Sequence, residues 1–263
     1  MCFLSKKKIA ILVISRTKSK RLKNKAKLKI KGINLIEIIL QRLLGRFDRK
    51  NIIICSSNFN NDKSFYKRIS QKYSVGIFFG AENNVLKRII DCLEKNNFKH
   101  FIRITGDNPL VDINAIHSLS LKHIMNKSDY TFTDSLPMGM KPEIFSLNAL
   151  KKNYKKIIDL NSTEYLTYFF RRPDIYKIQK VNFKKIYKNQ SQYKISVDKK
   201  NEFLLLKKFF SNKKNIFFNR SEIINFLKKN SKAKKIIRKI RFINKYYDVR
   251  YLFDQNKNFL ILN

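Results

Sequence analysis

The sequence predicts an α/β fold of three layers, a mainly parallel sheet with helices on both faces. Three observations carry that expectation. Apolar runs of strand length recur at Ile9–Ile14, Asn51–Cys55, Val75–Phe79 and Phe101–Ile104. Segments with helical apolar spacing separate them, as at Leu35, Ile36, Ile39, Leu40 and Leu43, and again at Val85, Leu86, Ile89, Ile90 and Leu93. The runs then break into loop chemistry, such as Ser56-Ser57-Asn58, Gly80, and Thr105-Gly106-Asp107-Asn108-Pro109. Strands alternating with helices in this way build a parallel sheet covered on both sides.

In order along the chain, Lys6-Lys7-Lys8 precede Ile9–Ile14. That run is short and ends at Ser15-Arg16 without a small-residue cleavage site, so it reads as a first strand and not as a signal peptide. The chemistry then changes: Arg16, Lys18, Ser19, Lys20, Arg21, Lys23 and Lys25 follow within one short stretch. Ligands bind at the carboxyl ends of strands in open parallel sheets. Arginine and lysine there grip phosphate oxygens, and serine adds a hydrogen bond. The competing explanation is a solvated basic turn in a very basic chain. Gly32 opens the amphipathic segment Asn34–Leu44, and Lys63–Tyr73 reads as a polar surface helix. Ile113–Met125 is helical. Tyr130–Thr133 and Glu143–Ser146 are strands, with a loop around Gly139 between them. Ser162–Arg171 is a helix capped by Asn161 or Ser162, Ile175–Val181 and Tyr193–Val197 are strands, and Asn201–Phe210 is a helix.

No linker rich in Pro, Gly or Ser interrupts residues 1–230, which read as one domain. Residues 231–263 form a basic C-terminal extension. There Ile236, Ile240 and Ile243 make a stripe among Lys234, Lys235, Arg238, Lys239 and Arg241. A basic amphipathic helix is expected, packed on its own domain rather than laid on an anionic membrane.

The formal charge is +39, from 58 Lys and Arg against 19 Asp and Glu. Such a surplus suits a polyanion, nucleic acid, an anionic membrane or a phosphorylated substrate. A genome rich in A and T also supplies lysine, although it does not explain the scarcity of acids. The hydrophobic fraction of 43% excludes a disordered chain. Cys2, Cys55 and Cys92 are scattered and odd in number, which suggests neither a disulfide framework nor a metal site and fits a reducing cytoplasm. No apolar run approaches the length of a membrane span.

The strongest chemical signal is a pair of aspartates, each just after an expected strand: Asp107 in RITGDNPLVD and Asp198 in YKISVDKK. Two carboxylates brought together over a sheet hold Mg2+, which keeps several waters and takes phosphate oxygens as further ligands. With the cationic loop these parts describe phosphoryl or nucleotidyl transfer. Taken singly, Asp107 also fits an Asx turn before Asn108-Pro109, and Asp198 a helix N-cap.

ISRTKSKRLKNK followed by KIKG resembles the N-terminal signature of the cytidylyltransferase family, through Arg16, Ser19, Arg21, Leu22, Lys25, Gly32, Leu35 and Ile36. RITGDNPLVD is similar to that family's metal-binding Gly-Asp block. NNVLKR, PMGMKPEIFSLNAL, STEYLTYFF and ISVDKKNEF resemble further blocks in the family's order. Within the family the resemblance runs to the acylneuraminate and 3-deoxy-manno-octulosonate enzymes and most to the spore-coat-polysaccharide branch. It implies a Rossmann-like sheet of the nucleotide-diphospho-sugar transferase type. It implies CTP as co-substrate, Mg2+ as cofactor, and transfer of CMP to a sugar acid with release of pyrophosphate for surface-polysaccharide synthesis.

Carried over residue by residue, Arg16, Ser19, Arg21 and Lys25 hold the triphosphate, with Lys25, Arg16 and Asp107 the catalytic groups. Asp107 and Asp198 hold the metal, and Arg88 and Arg103 lie on the nucleotide side. Glu143, Glu164, Thr167 and Lys141 line the sugar side. The implied partners are a nucleotide and a sugar acid; nucleic acid is not expected, and a homodimer is left open. Departures cluster in two places. Lys23-Asn24 stands for the usual Pro-Gly before the loop lysine, and Ile33-Asn34 for Lys-Pro. Met138 and Lys141 stand where that branch has acids, and Tyr165 where it has His. The alternatives are an inactive nucleotide-binding relative and a polyanion binder on the same fold.

Overall fold

A computed structural model describes residues 3–19, 22–155, 167, 170–188 and 190–230 fully, and 238–242, 245–250 and 261–262 by their backbone. The run Ile9–Ile14 forms β1, buried along most of its length because both of its faces are covered. A small hairpin follows, β2 (Lys29–Ile30) with β3 (Ile33–Asn34). Its two-residue turn has positive φ at Lys31 (49°) and Gly32 (80°), the requirement of the tight turn that matches strand twist. β4 (Ile52–Ser57) and β5 (Gly76–Gly80) extend the sheet on one side of β1, and β6 (His100–Thr105) pairs on the other, all parallel. Beyond β6 the direction changes. β8 (Glu143–Ser146) is antiparallel to both β6 and β7 (Tyr130–Phe132), and β9 (Ile178–Lys180) runs parallel to β7. The order is β5-β4-β1-β6-β8-β7-β9.

Alternation along β1 assigns its faces. Ile9, Ile11 and Val13 point to one core, with apolar residues of α2 (Leu35–Leu44), α3 (Asn60–Tyr73), α5 (Ile113–Met125), α7 (Lys200–Ser211) and α8 (Arg220–Asn230). Ala10 and Leu12 point to the other, covered by α4 (Val85–Lys95) and α6 (Leu147–Tyr154). A short α1 (Phe3–Lys6) precedes β1. The expected three-layer α/β sheet is therefore present. The second core is aromatic toward the antiparallel end, where Tyr130 stacks on Phe132 and Phe145 at 5.2 and 4.7 Å between ring centroids.

Several expectations need correction. The segment 63–73 is amphipathic rather than polar: its helix starts at Asn60 and buries Phe65, Tyr66 and Ile69. Tyr193–Val197 joins no sheet, and only Lys194 forms a single bridge, with Met138. The C-terminal stretch 238–242 is a strand, β10 (Arg238–Phe242), paired antiparallel with β11 (Lys245–Arg250), which pairs with β12 (Ile261–Leu262). Ile240 pairs with Tyr247 and Phe242 with Lys245 along that ladder, so the backbone is extended where a three-residue stripe suggests a helix. α6 and α8 were not anticipated. They begin at side-chain caps, Ser146 Oγ accepting from Ala149 N and Asn219 Oδ1 accepting from Glu222 N. Of the expected helix 162–171, only residues 167, 170 and 171 lie among the described ones. Cys55 and Cys92 are buried free thiols, and Cys2 lies outside the described residues.

Candidate active site

The loop after β1 is pinned from beneath. Thr17 N donates to Asp62 Oδ1 at 2.7 Å, and the other oxygen of Asp62 accepts from Ser56 and Ser57. Tyr66 OH donates to Ser15 Oγ at 2.7 Å. Further along, Asn24 takes the left-handed conformation (φ 54°, ψ 29°), which asparagine accepts more readily than most residues. That bend starts a 3-10 turn over Lys25–Lys27 that buries Ala26 and leaves Lys25 reaching across the crevice. Its ammonium lies 2.8 Å from Asp107 Oδ2 and 3.2 Å from Asp198 Oδ1.

Each aspartate is held in place by its own neighbours. Gly106 N bonds to Ile14 O at 2.9 Å, so β6 leaves the sheet directly beside the end of β1. Thr105 Oγ1 donates to Asp107 Oδ1 at 2.5 Å, leaving Oδ2 for Lys25. Val197 N bonds to the Asp107 carbonyl at 2.9 Å, which carries Asp198 to the same place. Glu202 accepts from the backbone N–H groups of Asp198 and Lys199 at 2.6 and 2.9 Å. Lys194 bridges Asp198 at 3.0 Å and Glu202 at 2.5 Å. The N-cap of α7 is Lys199, so the N-cap explanation of Asp198 does not hold. Nearby, Gly139 (φ +95°) has no room for a side chain, since an added Cβ would lie 2.5 Å from Ser196 N.

The carboxylates of Asp107 and Asp198 thus converge on one cation. Among the described residues no group of three or more His, Cys, Asp or Glu gathers to hold a metal. Two protein oxygens with the remaining positions left to water and phosphate is the donor set that suits Mg2+, so these residues fit that ion.

A second group lies on β6, β7 and β8. Arg103, opposite Glu143 in register, bonds to Glu143 Oε2 at 2.7 Å. Tyr130 OH donates to Oε1 at 2.5 Å, and Thr167 Oγ1 reaches both oxygens at 2.8 and 3.0 Å. Burial alone would raise the Glu143 carboxyl, but Arg103, Tyr130 and Thr167 hold it below the usual range. Beside it, Asp134 meets Arg171 at 3.1 Å, Lys180 at 3.6 Å and Lys141 at 3.9 Å. Burial pushes the Asp134 carboxyl up, and the three cations together bring it below normal.

The structure therefore brings Lys25, Asp107 and Asp198 together, and Arg103, Glu143 and Thr167 together. Arg16 and Ser19 are half-buried in the loop after β1. Arg103 stands with Glu143, not with Lys25. Arg88 is buried and donates Nη1 to the Ala81 carbonyl at 2.7 Å, tying down the loop before α4 from inside. Lys141 turns to Asp134. Arg21 and Glu164 lie outside the described residues. Sequence reasoning missed Asp62, Lys194 and Glu202. Asp62 and Glu202 were signalled only by the rarity of acids, each in the first turn of a helix, and Lys194, one lysine among many, by nothing.

In an open, mainly parallel sheet the carboxyl ends of the strands, where Lys25 meets the paired aspartates, are where ligands bind, and the family match makes the chain a nucleotidyltransferase. The chain belongs to the cytidylyltransferase family, whose model matches residues 10–248. It is 25% identical over 232 residues to the spore coat polysaccharide biosynthesis protein SpsF of Bacillus subtilis, covering 86% of this chain and 96% of that one. Its fold is that of a cytidylyltransferase from Leptospira borgpetersenii, with TM-score 0.78 and 23% identity over 85% of this chain and 94% of the other. A similar fold occurs in a CMP:2-keto-3-deoxy-manno-octonic acid synthetase complexed with CTP, with TM-score 0.59 and 13% identity over 78% and 98% of the two chains. Among the described residues no helix is long and apolar enough to cross a membrane.

Proposed function

We propose that this protein transfers CMP from CTP to a sugar acid and releases pyrophosphate, as a step in making a surface polysaccharide in the cytoplasm. The observation that carries the reading is the Lys25 ammonium held between Asp107 and Asp198. Asp107 and Asp198 would hold Mg2+, which when bound neutralises charge on the phosphates. Lys25 then turns from the carboxylates to the β- and γ-phosphates, a short swing for a flexible point charge. Arg16 and Ser19 lie in the loop after β1 and add donors to the triphosphate. The acceptor hydroxyl oxygen bonds to the α-phosphorus as the bond to the bridging β-phosphate oxygen breaks, pyrophosphate leaving and the hydroxyl proton passing to solvent. Asp62 keeps the loop from collapsing, through Thr17 N.

On the acceptor side, Glu143 orients Arg103 and Thr167. Arg171, Lys180 and Lys141 outnumber Asp134 and favour an anionic acceptor. The names of the relatives support this reading, one a polysaccharide-biosynthesis protein and one a synthetase acting on a keto-deoxy sugar acid. The test is pyrophosphate release with each of the four nucleoside triphosphates against a panel of sugar acids and their neutral counterparts. Release with CTP and a sugar acid alone is expected. Preference for another nucleotide, or equal release with neutral sugars, overturns the reading.

A further inference from the structure

A cavity of about 170 Å³ lies between the end of α2, the start of α5 and the segment leading into α8, and neither Lys25, Asp107 nor Asp198 lines it. That is several times the roughly 30 Å³ that a water takes in the liquid. Three arginines line it, Arg42, Arg46 and Arg220, against one acidic residue, Asp112. Both oxygens of Asp112 are engaged: Oδ1 accepts from Ala115 N at 2.9 Å and Oδ2 from Arg220 Nε. The local surplus is two positive charges.

The arginines are satisfied only in part. Arg42 is only 3% exposed, a costly position for a charged group. Its Nη1 donates to the carbonyls of Pro109 and Val111 at 2.7 and 3.1 Å, its only hydrogen bonds among the described residues. Its Nε is buried with no partner. Arg46 is exposed, and its hydrogen bond among the described residues is made by its backbone N to Leu43 O, not by its guanidinium. Arg220 spends only Nε on Asp112, and its guanidinium lies 4.4 Å from the Phe183 ring centroid. The cavity wall includes Phe218 and Phe217, the latter 56% exposed. Three planar forks with a net surplus of two charges beside an apolar wall suit a tetrahedral dianion carried on a small organic group.

We propose that this cavity binds a phosphate-bearing small molecule, its phosphate held by Arg42, Arg46 and Arg220. The site is separate from the transfer site but linked to it. Arg42 grips the carbonyls of Pro109 and Val111, in the same loop as Asp107. An occupant that draws on Arg42 therefore bears on the loop that positions Asp107.

The chain contains no tryptophan, so Phe217→Trp places a single indole on the cavity wall. The probes are inorganic phosphate and phenyl phosphate, with chloride at matched ionic strength as control. A saturable change in emission is expected with both phosphates. Adding Arg46→Ala to that background should weaken it about 10-fold or more, the loss of one charge-assisted contact. Adding Lys25→Ala should leave it unchanged, which separates this cavity from the transfer site. A response equalled by chloride, indifferent to Arg46→Ala, or lost with Lys25→Ala overturns the proposal. Should Phe217→Trp fold poorly, thermal shifts of the unaltered chain and of Arg46→Ala with the same probes decide it. A phosphate-induced rise in Tm that Arg46→Ala abolishes supports the cavity; equal rises refute it. None of these readouts needs nucleotidyl transfer, so failure here and failure of the CTP assay are distinguishable.

Discussion

Two carboxylate-centred regions flank β6, and they are built differently. At the parallel end, Asp107 and Asp198 share the ammonium of one lysine, and their side chains are 21% and 10% exposed. At the antiparallel end, Glu143 is gripped by a guanidinium, a phenol and a hydroxyl, all on or beside an aromatic core. Lysine is a flexible point charge that leaves at modest cost when another cation arrives. Two partners of Glu143, Arg103 and Tyr130, are fixed by the strand register of β6, β7 and β8. The difference teaches that equal charge pairing hides unequal settings: the first region is closed by one flexible side chain, the second mainly by strand register.

The largest effect should come from Asp107→Ala. Pyrophosphate release should fall on the order of 10³-fold, in the range seen when one pre-positioned electrostatic group is removed. The urea midpoint should scarcely move. Near-normal turnover with Mg2+ would remove Asp107 from the transfer site and break the comparison at its first term.

Glu143→Ala should do the reverse first. It leaves Arg103 without its carboxylate in a largely buried place, and stability should drop by roughly 3–5 kcal/mol in urea denaturation. An unchanged midpoint would mean that Glu143 is as replaceable as Asp107.

The antiparallel end also carries a proton-sensitive pair. His123 bonds through Nδ1 to Thr131 Oγ1 at 2.7 Å and through Nε2 to His100 Nδ1 at 3.1 Å. Burial, with a smaller push from His100, takes His123 down to about 3. The unfolded chain therefore takes up that proton first as pH falls below about 6.5, and stability is lost from there downward. Between pH 7 and pH 4 the loss should reach roughly 3 kcal/mol from this group. The depressed Glu143 carboxyl adds to it in the same direction, its contribution being present above its unfolded pKa and lost at lower pH. Urea midpoints across pH check this, and His123→Gln should flatten the curve between pH 6.5 and 4.5.

The smallest effect concerns the bend that delivers Lys25. Asn24→Gly should change stability by no more than about 0.5 kcal/mol, whereas Asn24→Val should cost about 1–2 kcal/mol at a positive φ. Thermal melts of the two variants give the difference directly, and equal melts would mean that the left-handed bend carries no strain.

Much of this arrangement was readable in advance, for local reasons. The alternation of apolar runs with helical stripes gave β1, β4, β5 and β6 with α2, α4 and α5 nearly to the residue, because burial on a face imposes a period on the neighbouring sequence. Asp107 and Asp198 stood out as acids at expected strand ends in a chain poor in acids. Short elements read less well: α6 spans only Leu147–Tyr154, and the basic stripe of 238–242 fits a strand once a pairing partner exists.

By itself, then, the sequence determined the layered α/β fold, the cationic loop and the identity of the two aspartates. Only the tertiary structure decided that Lys25 lies between carboxylates 82 and 173 positions away. It also decided that Asp62 props the loop, that Lys194 and Glu202 set Asp198, and that Arg103 belongs to Glu143. Those contacts join segments whose separation leaves no periodic trace. They depend on strand order and register, which arise from packing the whole chain at once.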